Sequence, residues 1–331
     1  MKKLINAVED IVPEMLEGLV RAHPDRLRKL EGHNVIVRKD APVKGKVGLV
    51  SGGGSGHEPA HAGYVGPGML DAGVAGEVFT SPTPDPVFEA VKAVDGGRGV
   101  LLVIKNYTGD VMNFQLAGEM AAAEGIEVAS VVVNDDVAVQ DSLYTTGRRG
   151  VAGTVFVHKI AGARAAAGGS LQEVKQAAEH VIANVRSMGM ALSPCTVPAA
   201  GKPGFELGED EIEIGIGIHG EPGVQKGKLM PADAIVDMML DRILADIDYT
   251  GRETALMVNG MGATPLMELY VTTRAAHRRL DREGVRVYRT YVGNYMTSLE
   301  MAGFSLTLLR LDDDLKKLLD APADTPAFKQ S

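Results

Sequence analysis

Cysteine is almost absent: Cys195 is the only one in 331 residues. An intrachain disulfide and a cysteine metal cluster are therefore excluded, and a reducing cytosol is the expected compartment. Nothing basic flanks Cys195 in residues 193–198, so it reads as a structural thiol rather than a nucleophile. An excess of positive charge is also missing. The net charge of −9 argues against a nucleic-acid partner and leaves no polybasic patch for a membrane surface. No apolar run approaches the ~18 residues of a spanning helix. Residues 1–10 (MKKLINAVED) turn acidic before an apolar stretch can form, so no secretory signal is expected. No Lys-Ser or Lys-Thr follows the glycines at 52–56, which excludes a phosphate-binding P-loop there. Internal repeats and low-complexity segments are lacking as well.

What remains is the composition of an α/β protein, long enough for two domains and a sizeable core. Apolar residues at helical spacing predict a helix over 4–22. Residues 46–50 form a short strand that runs into a glycine-rich loop, 51–56. The continuous apolar run 99–104 predicts a central strand, followed by a helix over 112–123 that Asp110 could cap. A strand over 128–133 ends in Asn134-Asp135-Asp136, which reads as a solvated strand end or helix caps rather than a metal site. A polar loop over 141–149 follows, where Arg148 and Arg149 could meet phosphate or an acidic neighbour. Helices are expected over 151–167 and 171–188. Three prolines and two glycines between 194 and 205 mark a change of character. The second part carries strands at 211–219, 255–258, 285–292 and 305–311, with helices at 231–247 and 266–280. The expected architecture is two α/β domains, 1–190 and 191–331, each a mainly parallel or mixed sheet flanked by helices.

The most informative stretch is 211–223 (EIEIGIGIHGEPG). Along a strand Ile212, Ile214, Ile216 and Ile218 share one face, and Gly215, Gly217 and His219 the other. The bare glycines leave room beside the imidazole, and Gly220, Pro222 and Gly223 turn the chain at once. A buried structural histidine is the plain alternative. Gly215, Gly217 and Gly220 also spell G-x-G-x-x-G, but no helical period follows, so a dinucleotide site is rejected. His57, Glu58 and His61 spell H-E-x-x-H, yet Pro59 and the preceding glycines would leave His57 outside any helix, which disfavours zinc. Polar groups at strand carboxyl ends, His57 after the glycines and Lys105 with Asp110 after 99–104, point to a ligand crevice.

Residues 51–59 (SGGGSGHEP), 79–84 (FTSPTP), 105–110 (KNYTGD), 195–198 (CTVP) and 217–223 (GIHGEPG) together resemble the dihydroxyacetone kinase K-subunit family, along the whole length of the chain. The resemblance implies that His219 binds the C2 carbonyl of dihydroxyacetone as a covalent hemiaminal, a linkage glycerol cannot form. It implies that His57 and Asp110 are an acid/base pair, with the division of labour open, and that Gly54, Ser55, Gly56 and Lys105 contact substrate. No cofactor or metal is expected on this chain. The resemblance assigns ADP or ATP with magnesium to a separate L subunit, recharged from phosphoenolpyruvate through an M subunit or exchanged with ATP. It also implies a cytoplasmic homodimer without nucleic-acid or membrane partners. Two further readings are a ketose-sensing transcriptional coactivator and a kinase for a related ketose such as erythrulose.

Overall fold

In the computed structural model, residues 2–140 and 146–331 are described; positions 141–145 of the polar loop expected over 141–149 lie outside the described residues. The chain builds two six-stranded sheets that share a helical layer. The first sheet contains β1 (Leu27–Lys29), β2 (Val35–Arg38), β3 (Gly48–Ser55), β4 (Ala72–Val78), β5 (Val100–Lys105) and β6 (Val128–Val133), in the order β1-β2-β4-β3-β5-β6. Strands β4, β3, β5 and β6 run parallel. The second sheet contains β7 (Val185–Ser193), β8 (Glu211–Ile214), β9 (Gln225–Lys228), β10 (Glu253–Gly260), β11 (Arg286–Gly293) and β12 (Ala302–Leu311), in the order β11-β10-β12-β7-β8-β9. Only its β10–β11 pair is parallel. The mixed α/β class read from the sequence is the observed one.

Alternation along the strands sorts side chains into layers. Val100, Leu102 and Ile104 of β5 pack under α2 (Pro84–Val94) and α3 (Thr108–Ala123), while Leu101 and Val103 face the opposite way. That opposite face meets α4 (Thr154–Ala166) and α5 (Leu171–Asn184). The same core continues into Ala255, Met257, Leu309 and Leu311 of the second sheet. Leu256, Val258, Leu306 and Leu308 turn outward under α6 (Ala232–Asp246) and α7 (Leu266–Arg282). Helix α4 is therefore buried nearly all round, as a helix enclosed between sheets must be. The sequence-based division at 190/191 falls within β7, and the crossing from helical layer to second sheet is at Asn184/Val185.

Four local expectations change. The first helix, α1 (Ile11–Ala22), begins later than residue 4. Pro13 has no N–H for a helical bond to Glu9, so it is confined to the first turn. Residues 185–188 leave the expected helix for β7, whose Val185 to Met188 pair with β12. The glycine-rich segment is not a loop but the second half of β3, paired with β4 through Ser55. Conversely, β8 stops at Ile214, because Gly215 adopts φ +72° and bends the chain out of the strand. His219 therefore sits on a loop, not at a strand end.

Candidate active site

The carboxyl ends of β3 and β5 lie side by side, and the loop after β8 reaches across to them from the second sheet. His57 follows β3 and is fully buried; His219 retains partial exposure. Their Nε2 atoms are 3.2 Å apart. His57 Nδ1 is 2.9 Å from the carbonyl of Thr297, which can only accept, so this nitrogen carries the proton. A neutral His57 then has a lone pair on Nε2, and the contact between the rings is a donation from His219 Nε2–H. Burial, reinforced by Lys105, pushes His57 down to about 3, so it is neutral at physiological pH. Burial, His57, Lys105 and Arg149 hold His219 well below the ordinary imidazole range.

Three rings fix the plane of His219. Tyr107, His57 and Phe79 each meet it edge to face, at centroid distances of 4.3, 4.8 and 5.4 Å. Phe79 also stacks on His57 at 5.3 Å. It does so from φ +55°, a conformation uncommon for a bulky residue. Gly54 makes this possible: a Cβ there would lie 2.5 Å from the Thr80 nitrogen and 2.8 Å from the Phe79 backbone.

Lys105 and Asp110 form a buried pair beside Gly53 and His57. Lys105 Nζ is fully buried, 3.0 Å from the Gly52 carbonyl, 2.9 Å from His61 Nε2 and 3.5 Å from Asp110 Oδ2. Burial lowers its pKa, and Asp110 opposes that shift. Asp110 lies inside the first turn of α3 and accepts a 2.5 Å hydrogen bond from Ser81 Oγ. The side chain thus faces Lys105 and Ser81 and does not cap the helix. Acceptance from Lys105 places the His61 proton on Nδ1, which faces His158 Nε2 at 3.0 Å. The two histidines of the H-E-x-x-H string consequently serve separate networks, His57 towards His219 and His61 towards His158.

The structure gathers His57, Lys105, Asp110, His219 and Gly54–Gly56 in one place. Ser55 Oγ is committed to the Gly76 carbonyl at 2.7 Å, and the Gly56 N–H to the Glu58 carboxylate at 3.0 Å. Residue types alone did not reveal Phe79, Tyr107, Thr297, Ser81 or Glu221 as neighbours of the imidazoles. Phe79, Ser81, Tyr107 and Glu221 do stand inside the unusual stretches 79–84, 105–110 and 217–223. Thr297 had no such signal.

The bare glycine face beside His219 has a different use from the expected one. A Cβ on Gly217 would lie 1.7 Å from Glu221 Oε1, and one on Gly215 would lie 2.7 Å from Val224. The space is filled by the protein. The acidic end of β6 is likewise buried: Asp135 accepts from the N–H groups of Val151 and Gly153, and Asp136 pairs with Arg149. Arg148 meets Asp246 at 2.5 Å. Cys195 is buried 3.6 Å from Ser298 Oγ, and burial pushes its thiol pKa up.

A family model described as the Dak1 domain matches residues 17–327. The chain belongs to the Dak1 domain family. The dihydroxyacetone-binding subunit DhaK of PTS-dependent dihydroxyacetone kinase 1 from Listeria innocua is 58% identical over 330 residues, covering 99% of this chain and 100% of that one. The solved dihydroxyacetone kinase of C. freundii in complex with AMP-PNP and Mg2+ superposes at TM-score 0.92 with 37% identity, covering 99% of this chain and 61% of the other. The solved dihydroxyacetone kinase operon co-activator Dha-DhaQ superposes at 0.90 with 39% identity, covering 96% and 99%. The Dak1 fold is thus similar to both a kinase and a coactivator. No described helix is long and apolar enough to cross a membrane.

Proposed function

We propose that this Dak1 chain is the dihydroxyacetone-binding subunit of a dihydroxyacetone kinase, and that it holds the ketone as a hemiaminal on His219. The observation that carries the reading is the pair of neutral imidazoles meeting through Nε2 atoms, with one proton position set by Thr297. His57 is placed to take the proton from His219 Nε2 as that nitrogen bonds to C2. The carbonyl π pair becomes an alkoxide, which receives the same proton from His57. The balance is N–H plus C=O giving N–C–O–H, with no other reactant. Capture of a carbonyl discriminates against glycerol more sharply than hydrogen bonds exchanged with water could.

Asp110 then accepts the proton of the terminal hydroxyl as the phosphoryl group arrives, with Lys105 compensating its charge. This assigns His57 to hemiaminal formation and Asp110 to transfer. Phosphoryl transfer needs a phosphate cradle and metal ions. We assign these to a separate L subunit carrying ADP or ATP with magnesium, recharged from phosphoenolpyruvate through an M subunit. The relative named as PTS-dependent, matched end to end, supports that donor. A homodimer fits the exposed apolar face of α7, where Leu266, Met267, Tyr270 and Val271 lie outward.

The test is turnover of dihydroxyacetone with the L subunit from the same genome, once with ATP and once with phosphoenolpyruvate and the phosphotransferase components. Product formation supports the kinase and identifies its donor. Tight ketone binding without product would favour the coactivator reading, which the resemblance to Dha-DhaQ keeps in play at lower identity than the kinase subunit.

A further inference from the structure

A buried charge network holds the loop that carries His219. Arg149, 2% exposed, joins the two halves of the chain. Its Nε and Nη2 are 2.8 and 2.7 Å from Asp136 Oδ2, at the end of the first sheet. Its Nη2 also donates to the Gly215 carbonyl at 2.9 Å, where the chain leaves β8. Its Nη1 is 3.3 Å from Glu221 Oε1. The other oxygen of Glu221 accepts the backbone N–H of His219 at 2.7 Å. Gly217 is bare because this carboxylate occupies the volume of its Cβ.

Resting on the functional reading above, we propose that Arg149 and Glu221 are positioning residues for His219: the buried pair holds the loop from 215 to 221 so that the imidazole keeps its tautomer and reach towards the ketone. Such a pair is costly to bury and gains little stability over apolar packing, so its presence beside the nucleophile calls for another role. A loop with φ +72° at Gly215 and φ +70° at Gly220 leaves the ladder after the Gly215 N–H bond to the Gly189 carbonyl, and beyond it these bonds take the ladder's place. The charge of Arg149 also matters. Glu221 alone would place an uncompensated carboxylate next to His219 and favour the imidazolium, which cannot attack a carbonyl. The other charged or titratable groups facing His219 are His57, Lys105 and Tyr107, with Asp110 beyond Lys105.

The experiment uses the full chain and reads loading of [2-13C]dihydroxyacetone by 13C NMR, from about pH 4 to about pH 8, so that an acid limb moved up towards the ordinary imidazole range shows. Kd, and KM against kcat with the L subunit, are measured alongside. The variants are Gly217→Ala, Glu221→Gln, Arg149→Met and the double variant Arg149→Met/Glu221→Gln. Gly217→Ala should raise the Kd and KM about tenfold or more with a smaller change in kcat, because it displaces the carboxylate without touching either charge. Arg149→Met should move the acid limb of loading to higher pH, and the double variant should bring it back. A merely structural role would weaken loading equally at every pH. Folded Gly217→Ala and Glu221→Gln chains with parental affinity and pH profile would overturn the proposal, also if Arg149→Met does not fold. A parent that loads no ketone overturns the functional reading and this proposal together; a parent that loads, with variants that load identically, overturns this proposal alone.

Discussion

His219 takes both its plane and its proton from its neighbours. Tyr107, Phe79 and His57 hold the ring, and the chain Thr297–His57 sets which nitrogen of His219 carries the proton. His219→Ala should therefore abolish tight ketone binding with the fold retained; calorimetry showing parental affinity would contradict the covalent role. Asp110→Asn keeps the shape of the pocket and the partner of Ser81. It should still load ketone, while kcat with the L subunit falls roughly 10²- to 10⁴-fold, the usual worth of a placed base. Near-normal turnover would remove Asp110 from the transfer step. The two substitutions separate loading from transfer, which is the division the geometry favours.

At the scale of elements, chain terminators decide more than periodicity does. Pro13 sets the start of α1, and Gly215 ends β8 four residues before His219. Helix α5 starts from a capping box, in which Ser170 and Glu173 exchange side-chain and backbone hydrogen bonds. Ser170→Ala should cost about 1 kcal/mol, visible as a lowered Tm without loss of ketone binding, since α5 lies in the shared layer away from the site. The strands β4 and β7 were hard to read for opposite reasons. β4 (AGVAGEV) is rich in residues with little strand preference, and β7 begins without a break in an apolar helical pattern. Pairing with β3 and β2 in one case, and with β12 in the other, overrides local preference.

The whole molecule responds to pH through its buried imidazoles. Burial holds His57 and His158 near 3, and His61 and His219 well below 6.5. The unfolded chain takes up these protons below about 6.5 and the folded chain does not. Their contribution is thus complete above that pH and is lost as pH falls towards 3. Asp136, raised by burial to about 6, and Asp135 and Glu58, also raised, act in the opposite sense within the window. Four histidines outweigh three carboxylates, so the urea midpoint should drop between about pH 7 and about pH 5. An unchanged or higher midpoint would mean that these rings charge in the folded state. Assembly belongs to this scale too. Met267→Asp on the exposed face of α7 should yield a monomer by light scattering if that face is the homodimer contact; an unchanged mass would place the contact elsewhere.

The sequence by itself determined the α/β class, about half of the strands and most of the helices, and it singled out the side chains that the fold gathers around the two imidazoles. Unusual strings such as SGGGSGHEP and GIHGEPG are long enough to be specific, and polar groups after apolar strands mark a crevice. Only the tertiary structure decided how those strings meet. His57 and His219 are 162 positions apart, and their Nε2 contact depends on a loop of the second sheet reaching the end of the first. Tautomers follow from hydrogen-bond partners such as the Thr297 carbonyl, which no local pattern encodes. The glycines before His219 show the limit best. In sequence they look like space for a ligand, whereas in the fold Gly217 makes room for the Glu221 carboxylate, because whether a missing side chain leaves a cavity depends on what packs into it.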